Sequence, residues 1–372
     1  MHPLTALVFS DIHTYHRKIN TNRMLDNLWH LIDTTYNKHH VDIVIIAGDF
    51  FDRMCDLARY AVSKLTSWIT KLFNWCAKYK KKVRVLEGTP LHDNKQSVVF
   101  KEVHASMVSA CDFRYIDEIE IEYIPDFDAH VLYVPDEANP TAALTLEKVK
   151  SILDARNLRQ VDIAVMHGLF EFQIPVITNC PKTHNSEVYL EIVKHFIFNG
   201  HDHTHKSYKR IIVQGSFDRL AHGEEGAKGF VIARMGHTDE PDSFSFIENT
   251  KATVFKTINL LGLNLEDSIN KMQRELAKIP KESFVRIRVA KNNPIVESLG
   301  EITRSYPFIE FSKDFVDTTK VVETTHVFQR HVAITLTKSN IVDALLQRLR
   351  GKNIDDAIIT RARAILEETV NE

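Results

Sequence analysis

Cysteine is scarce. Cys55, Cys76, Cys111 and Cys180 are the whole complement, far apart and with no Cys-x-x-Cys pair, which sets aside a zinc knuckle and a disulfide framework and fits a reducing cytoplasm. No segment approaches the roughly 18 uninterrupted apolar residues of a spanning helix, so no membrane partner is expected. The start, Met1-His2-Pro3-Leu4, runs straight into a strand-like stretch. It has none of the basic region, apolar run and small-residue cleavage site of a secretory leader. An excess of one charge is also missing: the formal net charge is -2, so any contact with nucleic acid must be local or shared with a partner. Internal repeats and low-complexity tracts are absent.

What is present is enough chain for one large domain and one or two smaller ones, 372 residues. Hydrophobic content of 44% against 26% charged residues is that of a globular protein. Residues 4–10 and 41–47 are short apolar, β-branched runs ending at Asp11 and Gly48-Asp49, and both read as buried strands. Between them Met24, Leu25, Leu28, Leu31, Ile32 and Tyr36 recur at helical spacing, and residues 58–79 repeat the pattern before a strand at 83–86. Strand alternating with helix implies parallel pairing with helices on the sheet faces. Further strands are expected at 118–124, 130–134, 161–166, 210–213 and 229–233, giving an α/β domain over residues 1–235. The polar stretch 236–243 marks a boundary. Beyond it, a small α+β domain is expected over 245–330. A helical pair then fills 338–372, with Ile341, Leu345, Leu346 and Leu349 on one stripe and Ile354, Ala357, Ile358, Ala362, Ile365 and Leu366 on the next.

Five short segments hold nearly all the acidic and imidazole groups that directly follow strands: Asp11-Ile12-His13, Gly48-Asp49-Phe50-Phe51-Asp52-Arg53, Gly88 to Asn94, His167-Gly168 and Gly200-His201-Asp202-His203. Open α/β sheets bind ligands at the carboxyl ends of their strands, so these segments should converge. Taken singly, each has an ordinary explanation, since an Asp after a strand is more often a turn or a helix cap and a lone His a satisfied polar group. His201-x-His203 is stronger, because alternate residues of extended chain face one side. Together, in this order, they are hard to explain by accident. Mixed carboxylate and imidazole donors suit manganese, iron or zinc. Two such ions about 3.5–4 Å apart can share one carboxylate and act on a phosphodiester, and Asp49 is the candidate for that bridge. No ligand role is assigned to His16, His39, His40, His184, His195, His205, His222 or His237. The lysines at 78 and 80–82 read as a solvated helix end rather than a DNA patch.

The five segments resemble the calcineurin-like metallophosphoesterase signature D-x-H, G-D-x-x-D, G-N-H-[DE], a lone H and G-H-x-H, over residues 1–235. The resemblance implies a four-layer α/β/β/α sandwich carrying two divalent metal ions. Asp11, His13, Asp49 and His203 would bind one ion; Asp49, His167 and His201 would serve the other; and His92 would protonate the leaving oxygen. Gly215-Ser216, Arg219, Gly223-Glu224 and Lys228-Gly229-Phe230, with Phe51 in a G-D-x-F-D form, are similar to the SbcD-type DNA-repair nuclease. That likeness implies manganese, DNA as substrate with exonuclease and endonuclease action, an α+β cap, a homodimer, and a tail that docks on an SMC-like, SbcC-type ATPase. One departure stands out. The family's G-N-H-D is here Gly88-Thr89-Pro90-Leu91-His92-Asp93, two residues longer and without its asparagine ligand; Thr89, Asn94 or a water could substitute, or the second site could be weaker or active only in the assembled complex.

Two other readings compete with the nuclease. A small-molecule or phosphoprotein phosphoesterase would use the same metals, but protein phosphatases of the superfamily show G-D-x-V-D-R-G and G-N-H-E where this chain has Gly-Asp-Phe-Phe-Asp-Arg-Met and ends its third motif in Asp93. A scaffold with a decayed site, tethering DNA or an ATPase, has only the missing asparagine in its favour. Trp68, Leu72, Phe73 and Trp75 could offer a pairing surface or simply pack on the sheet, and core packing is the default reading.

Overall fold

The strands at the front of the chain are predominantly apolar because both of their faces are covered. In the computed structural model, β1 (Leu4–Phe9), β2 (Ile43–Ala47) and β3 (Lys82–Leu86) pair in parallel with one another and with β4 (Asp112–Ile116). The antiparallel strands β11 (Gly229–Met235) and β12 (Ser243–Glu248) complete a six-stranded sheet in the order β12-β11-β1-β2-β3-β4. Side chains alternate across it as strand geometry requires. Leu7, Phe9, Val44, Ile46, Val83 and Val85 face outward onto α1 (Thr21–Tyr36) and α2 (Ala61–Lys78), where Met24, Leu25, Leu28, Leu65, Ile69 and Leu72 meet them. Ala6, Val8, Ile43, Ile45 and Leu86 face the other way, into a second core.

That second core is closed by a second six-stranded sheet, β5-β6-β7-β8-β10-β9, built from β5 (Glu120–Ile124), β6 (Ala129–Val134), β7 (Ile163–His167), β8 (Ile197–Gly200), β9 (Lys206–Tyr208) and β10 (Ile211–Val213). Val131, Tyr133, Ile163, Val165, Phe198 and Ile212 point inward. Their neighbours Leu132, Val134, Ala164, Met166, Ile197 and Ile211 pack outward with Val149 and Leu153 of α4 (Ala142–Ala155) and with Tyr189 and Leu190 of α5 (Ser186–Ile192). The short α3 (Val99–Ala105) lies beside α2. The result is the four-layer α/β/β/α sandwich. One polar clamp crosses its middle: Arg84 of β3, 2% exposed, is held by both carboxylate oxygens of Glu122 on β5 at 2.8 and 2.7 Å, and Tyr133 of β6 donates to the same carboxylate. A buried charge tolerates this position only because it is paired and hydrogen-bonded.

Four strands were not anticipated: β4, β8, β9 and β12. β4 is only half buried at the sheet edge, so its sequence lacks a clean apolar run. β12 follows the polar stretch expected as a boundary; that stretch is the turn returning the chain antiparallel to β11. A separate core is formed by β13 (Phe255–Asn259), α6 (Leu265–Leu276), β14 (Ser283–Ala290), α7 (Ile295–Arg304) and β15 (Ile309–Val316), a parallel three-stranded sheet whose Ile258, Val285, Ile287 and Val289 pack on Met272, Leu276, Ile295 and Leu299. Trp68, Leu72, Phe73 and Trp75 are buried in the first core.

The structure describes residues 1–317, 361 and 363, apart from 37–38, 56–60, 109–110, 137–138 and 175–179. The helical pair expected over 338–372 therefore lies outside the described residues, save Arg361 and Arg363, as does the end of the 245–330 segment. Among the described residues no helix is long and apolar enough to cross a membrane.

Candidate metal centre

β1, β2, β3, β6, β7 and β8 end on one side of the sandwich, and the chain after each end turns into the same cleft. Backbone pairing ties the first two segments together: Asp11 N–H donates to Gly48 O at 3.1 Å and His13 N–H to Asp49 O at 3.1 Å. Asp11, His13, Asp49 and His201 all adopt positive φ, at 51°, 50°, 50° and 89°. For non-glycine residues such backbone costs on the order of 1–3 kcal/mol each and persists where the surrounding fold over-determines it, a pattern concentrated at functional sites. Two glycines allow the close approach: a Cβ at Gly48 would strike the His167 ring, and one at Gly88 would strike Asp49.

All seven residues singled out from the sequence meet here. Asp11, His13 and His203 form one group whose ligand atoms lie within 4.8 Å of one another; Asp49, His167 and His201 form a second; His13, Asp52 and His92 form a third. Asp11, His13, Asp49 and His167 are buried, whereas His92, His201 and His203 are reached by solvent. Asp49 lies between the first two groups, its Oδ2 3.2 Å from His167 Nε2 and 3.9 Å from His13 Nε2. Burial would raise the Asp49 carboxyl, but His167, His13 and the Thr89 N–H together hold it below the usual carboxylate range. Burial lowers the His167 imidazole, and Asp49 at contact distance more than reverses this, placing it well above its ordinary value.

The donor set fits divalent cations on two observations. His203 Nδ1 donates to Glu224 Oε1 at 3.0 Å, which leaves Nε2 as the lone-pair nitrogen, and that Nε2 faces His13 Nε2 at 3.1 Å and Asp11 Oδ1 at 4.0 Å. Likewise His167 Nδ1 donates to the Ala47 carbonyl at 2.7 Å, turning its Nε2 toward Asp49. A carbonyl or carboxylate on the far ring nitrogen is how a metal-binding imidazole is held in tautomer and direction. His92 is held the same way, Nδ1 against the Asp52 carbonyl at 2.7 Å, and its ring stands edge-on 4.7 Å from that of His13.

Several participants were not assigned from the sequence. Asp52 belongs to the third group, with Oδ1 3.5 Å from His13 Nδ1. Asp136, just after β6, brings Oδ2 to 3.8 Å from His201 Nδ1; an Asp after a strand was the available signal. Glu224 is itself gripped by Lys228, whose ammonium also donates to His203 O and Ser216 Oγ at 2.8 Å each. Asp93, wholly buried, accepts from Phe51 N and Gly88 N at 2.8 Å, pinning the third segment to the second. Lys82 is occupied by Asp112 and Asp126.

Residues 4–205 match the calcineurin-like phosphoesterase family. The chain belongs to that family. As a calcineurin-like phosphoesterase it has the fold of metal-dependent phosphoester hydrolases, a fold that normally holds two divalent ions, and its candidate ligand groups sit at the ends of its own strands. No curated protein matches the chain. One solved crystal structure aligns over 66% of this chain and 99% of its own at 13% identity, with a TM-score of 0.40, too low to support any argument.

Proposed function

We propose that this phosphoesterase is a manganese-dependent DNA nuclease, cutting as exonuclease and endonuclease, and the SbcD-type subunit of an end-processing complex with an SMC-like, SbcC-type ATPase. The observation that carries this finer reading is the wiring of the segment that resembles SbcD-type proteins. Lys228 bonds to Ser216, to Glu224 and to the His203 carbonyl, and Glu224 accepts from the His203 ring, so that segment supports a proposed metal ligand directly. Asp11, His13, Asp49 and His203 are the proposed holders of one ion and Asp49, His167 and His201 of the other. The ions supply charge neutralisation of the scissile phosphate and a more acidic water.

The protein's own groups do the rest. The buried Asp49 carboxylate holds both sites in one register. His92, with Nδ1 committed to the Asp52 carbonyl, presents Nε2 toward the cleft, where it can give a proton to the departing ribose oxygen. DNA, a second copy of the chain and the ATPase are the proposed partners, the ATPase through residues 338–372. Pairing would use surfaces other than Trp68, Leu72, Phe73 and Trp75, which the core consumes.

The test is cleavage of linear duplex DNA by the purified chain with manganese, beside Asp49→Ala and a magnesium control. Manganese-dependent cutting lost in the variant is the expected result. Faster hydrolysis of a simple phosphomonoester than of DNA would overturn the nuclease assignment in favour of a small-molecule or phosphoprotein enzyme. Two bound metals with no turnover on either substrate would favour a scaffold.

A further inference from the structure

We propose that the Thr89 hydroxyl is a ligand of the second metal ion, filling the place left by the family's missing asparagine. The inference rests on the two-metal reading above. Thr89 Oγ1 stands 3.1 Å from Asp49 Oδ2, 3.4 Å from His167 Nε2 and 3.2 Å from His201 Nδ1, so it faces one donor atom of every member of that group. Its side chain is buried and its own N–H donates to Asp49 Oδ1 at 2.5 Å, which fixes the backbone from which the hydroxyl projects.

The longer third segment explains how a residue one step after Gly88 comes to hold this position. Both ends are pinned, by Gly88 N–H donating to Asp93 and by His92 and Asp93 N–H donating to the Thr89 carbonyl at 2.9 Å. The two extra residues, Pro90 and Leu91, therefore bulge into solvent, Leu91 85% exposed. His92 still reaches the Asp52 carbonyl. Asn94, the amide nearest in sequence, is exposed, and its side-chain nitrogen contacts Met54 Sδ at 3.5 Å. A threonine hydroxyl is a neutral oxygen donor like the amide it replaces, and phosphate-binding loops use the same group on a divalent ion. With it the second group offers two oxygens and two nitrogens, a mixed set suited to manganese, iron or zinc.

The hydroxyl could instead only orient Asp49, and the two roles separate cleanly. Asp49 serves both ions, so losing an orienting bond weakens both sites, whereas losing a ligand weakens one. Manganese binding to the metal-stripped full chain, read by metal content after dialysis and by titration against a chelator, is to be compared for wild type, Thr89→Val, Thr89→Ala, Thr89→Ser and Asn94→Ala. Thr89→Val keeps the shape and loses the oxygen; Thr89→Ala guards against a packing artefact. The expected result is two ions per wild-type chain, one site weakened at least about tenfold in Thr89→Val and Thr89→Ala, and both sites intact in Thr89→Ser and Asn94→Ala. Two ions retained within twofold in Thr89→Val, or both sites weakened equally, would overturn the proposal. Fewer than two ions on the wild-type chain would remove the two-metal reading and this inference with it.

Discussion

Glu224→Gln removes one charge beside a proposed metal ligand and leaves the shape nearly unchanged. In the native arrangement Oε1 takes the His203 Nδ1 proton at 3.0 Å and Oε2 takes the Lys228 ammonium at 2.9 Å. Losing a carboxylate behind a metal-binding imidazole weakens metal affinity by about 10–100-fold, roughly 1.4–2.7 kcal/mol. There is a second effect. Lys228 is 3% exposed, so neutralising its partner leaves its ammonium without a counter-charge, held by neutral oxygens such as the His203 carbonyl and the Ser216 hydroxyl. Stranding a buried charge outright costs about 3–5 kcal/mol. With those two bonds kept, and with Glu224 itself 20% exposed, a loss of about 1–3 kcal/mol in the metal-free protein is expected. Lys228→Met added to Glu224→Gln should restore much of that stability without restoring metal affinity. The assays are urea unfolding in chelator and manganese titration. Metal affinity within twofold of wild type in Glu224→Gln would refute the claim that Glu224 positions His203.

Other outcomes follow from the same geometry. Burial lowers the His203 imidazole, but Glu224 and Asp11 raise it above the ordinary 6.5; because a metal must displace that proton, manganese affinity should still be climbing as pH passes upward through 6.5, and in Glu224→Gln the climb should be complete at lower pH. Burial raises the Glu224 carboxyl, yet His203 and Lys228 hold it at about 2 against an ordinary 4.5. Its stabilisation of the metal-free protein is therefore complete above pH 4.5 and lost as pH falls toward 2, a slope that Glu224→Gln should flatten in acid unfolding. His92→Ala should keep both ions and lose about 10²–10⁴-fold in kcat, measured on DNA with manganese; an unchanged rate would remove it from the reaction. Arg84→Met should cost about 1–3 kcal/mol in urea unfolding, because the buried Glu122 is left with only the Tyr133 hydroxyl at 3.0 Å and Arg114 at 3.6 Å, and the double change with Glu122→Met should recover most of it.

The sequence determined the parts that depend on local pattern. Buried parallel strands need apolar side chains on both faces, so β1, β2, β3 and β7 announced themselves as short runs, and the change to helical spacing between them announced α1 and α2. Ligand types following strand ends drew Asp11, His13, Asp49, His92, His167, His201 and His203 to notice, because the carboxyl ends of parallel strands share one side. Only the tertiary structure decided what depends on pairing between distant segments. β12 joins the first sheet through β11 across a turn whose polarity looks like a linker. Arg84 is polar in a strand that should be buried, and the reason, Glu122, sits on the opposite sheet. Thr89 and Glu224 both lie in segments that the sequence brought to notice, but which group of the site each one serves shows only in the structure. The first is drawn into the site by a loop pinned at Asp93, the second by a lysine four residues on whose ammonium also holds the His203 carbonyl. Hydrogen bonds between residues far apart in the chain leave no period to read, and they form only once the two sheets have closed on each other.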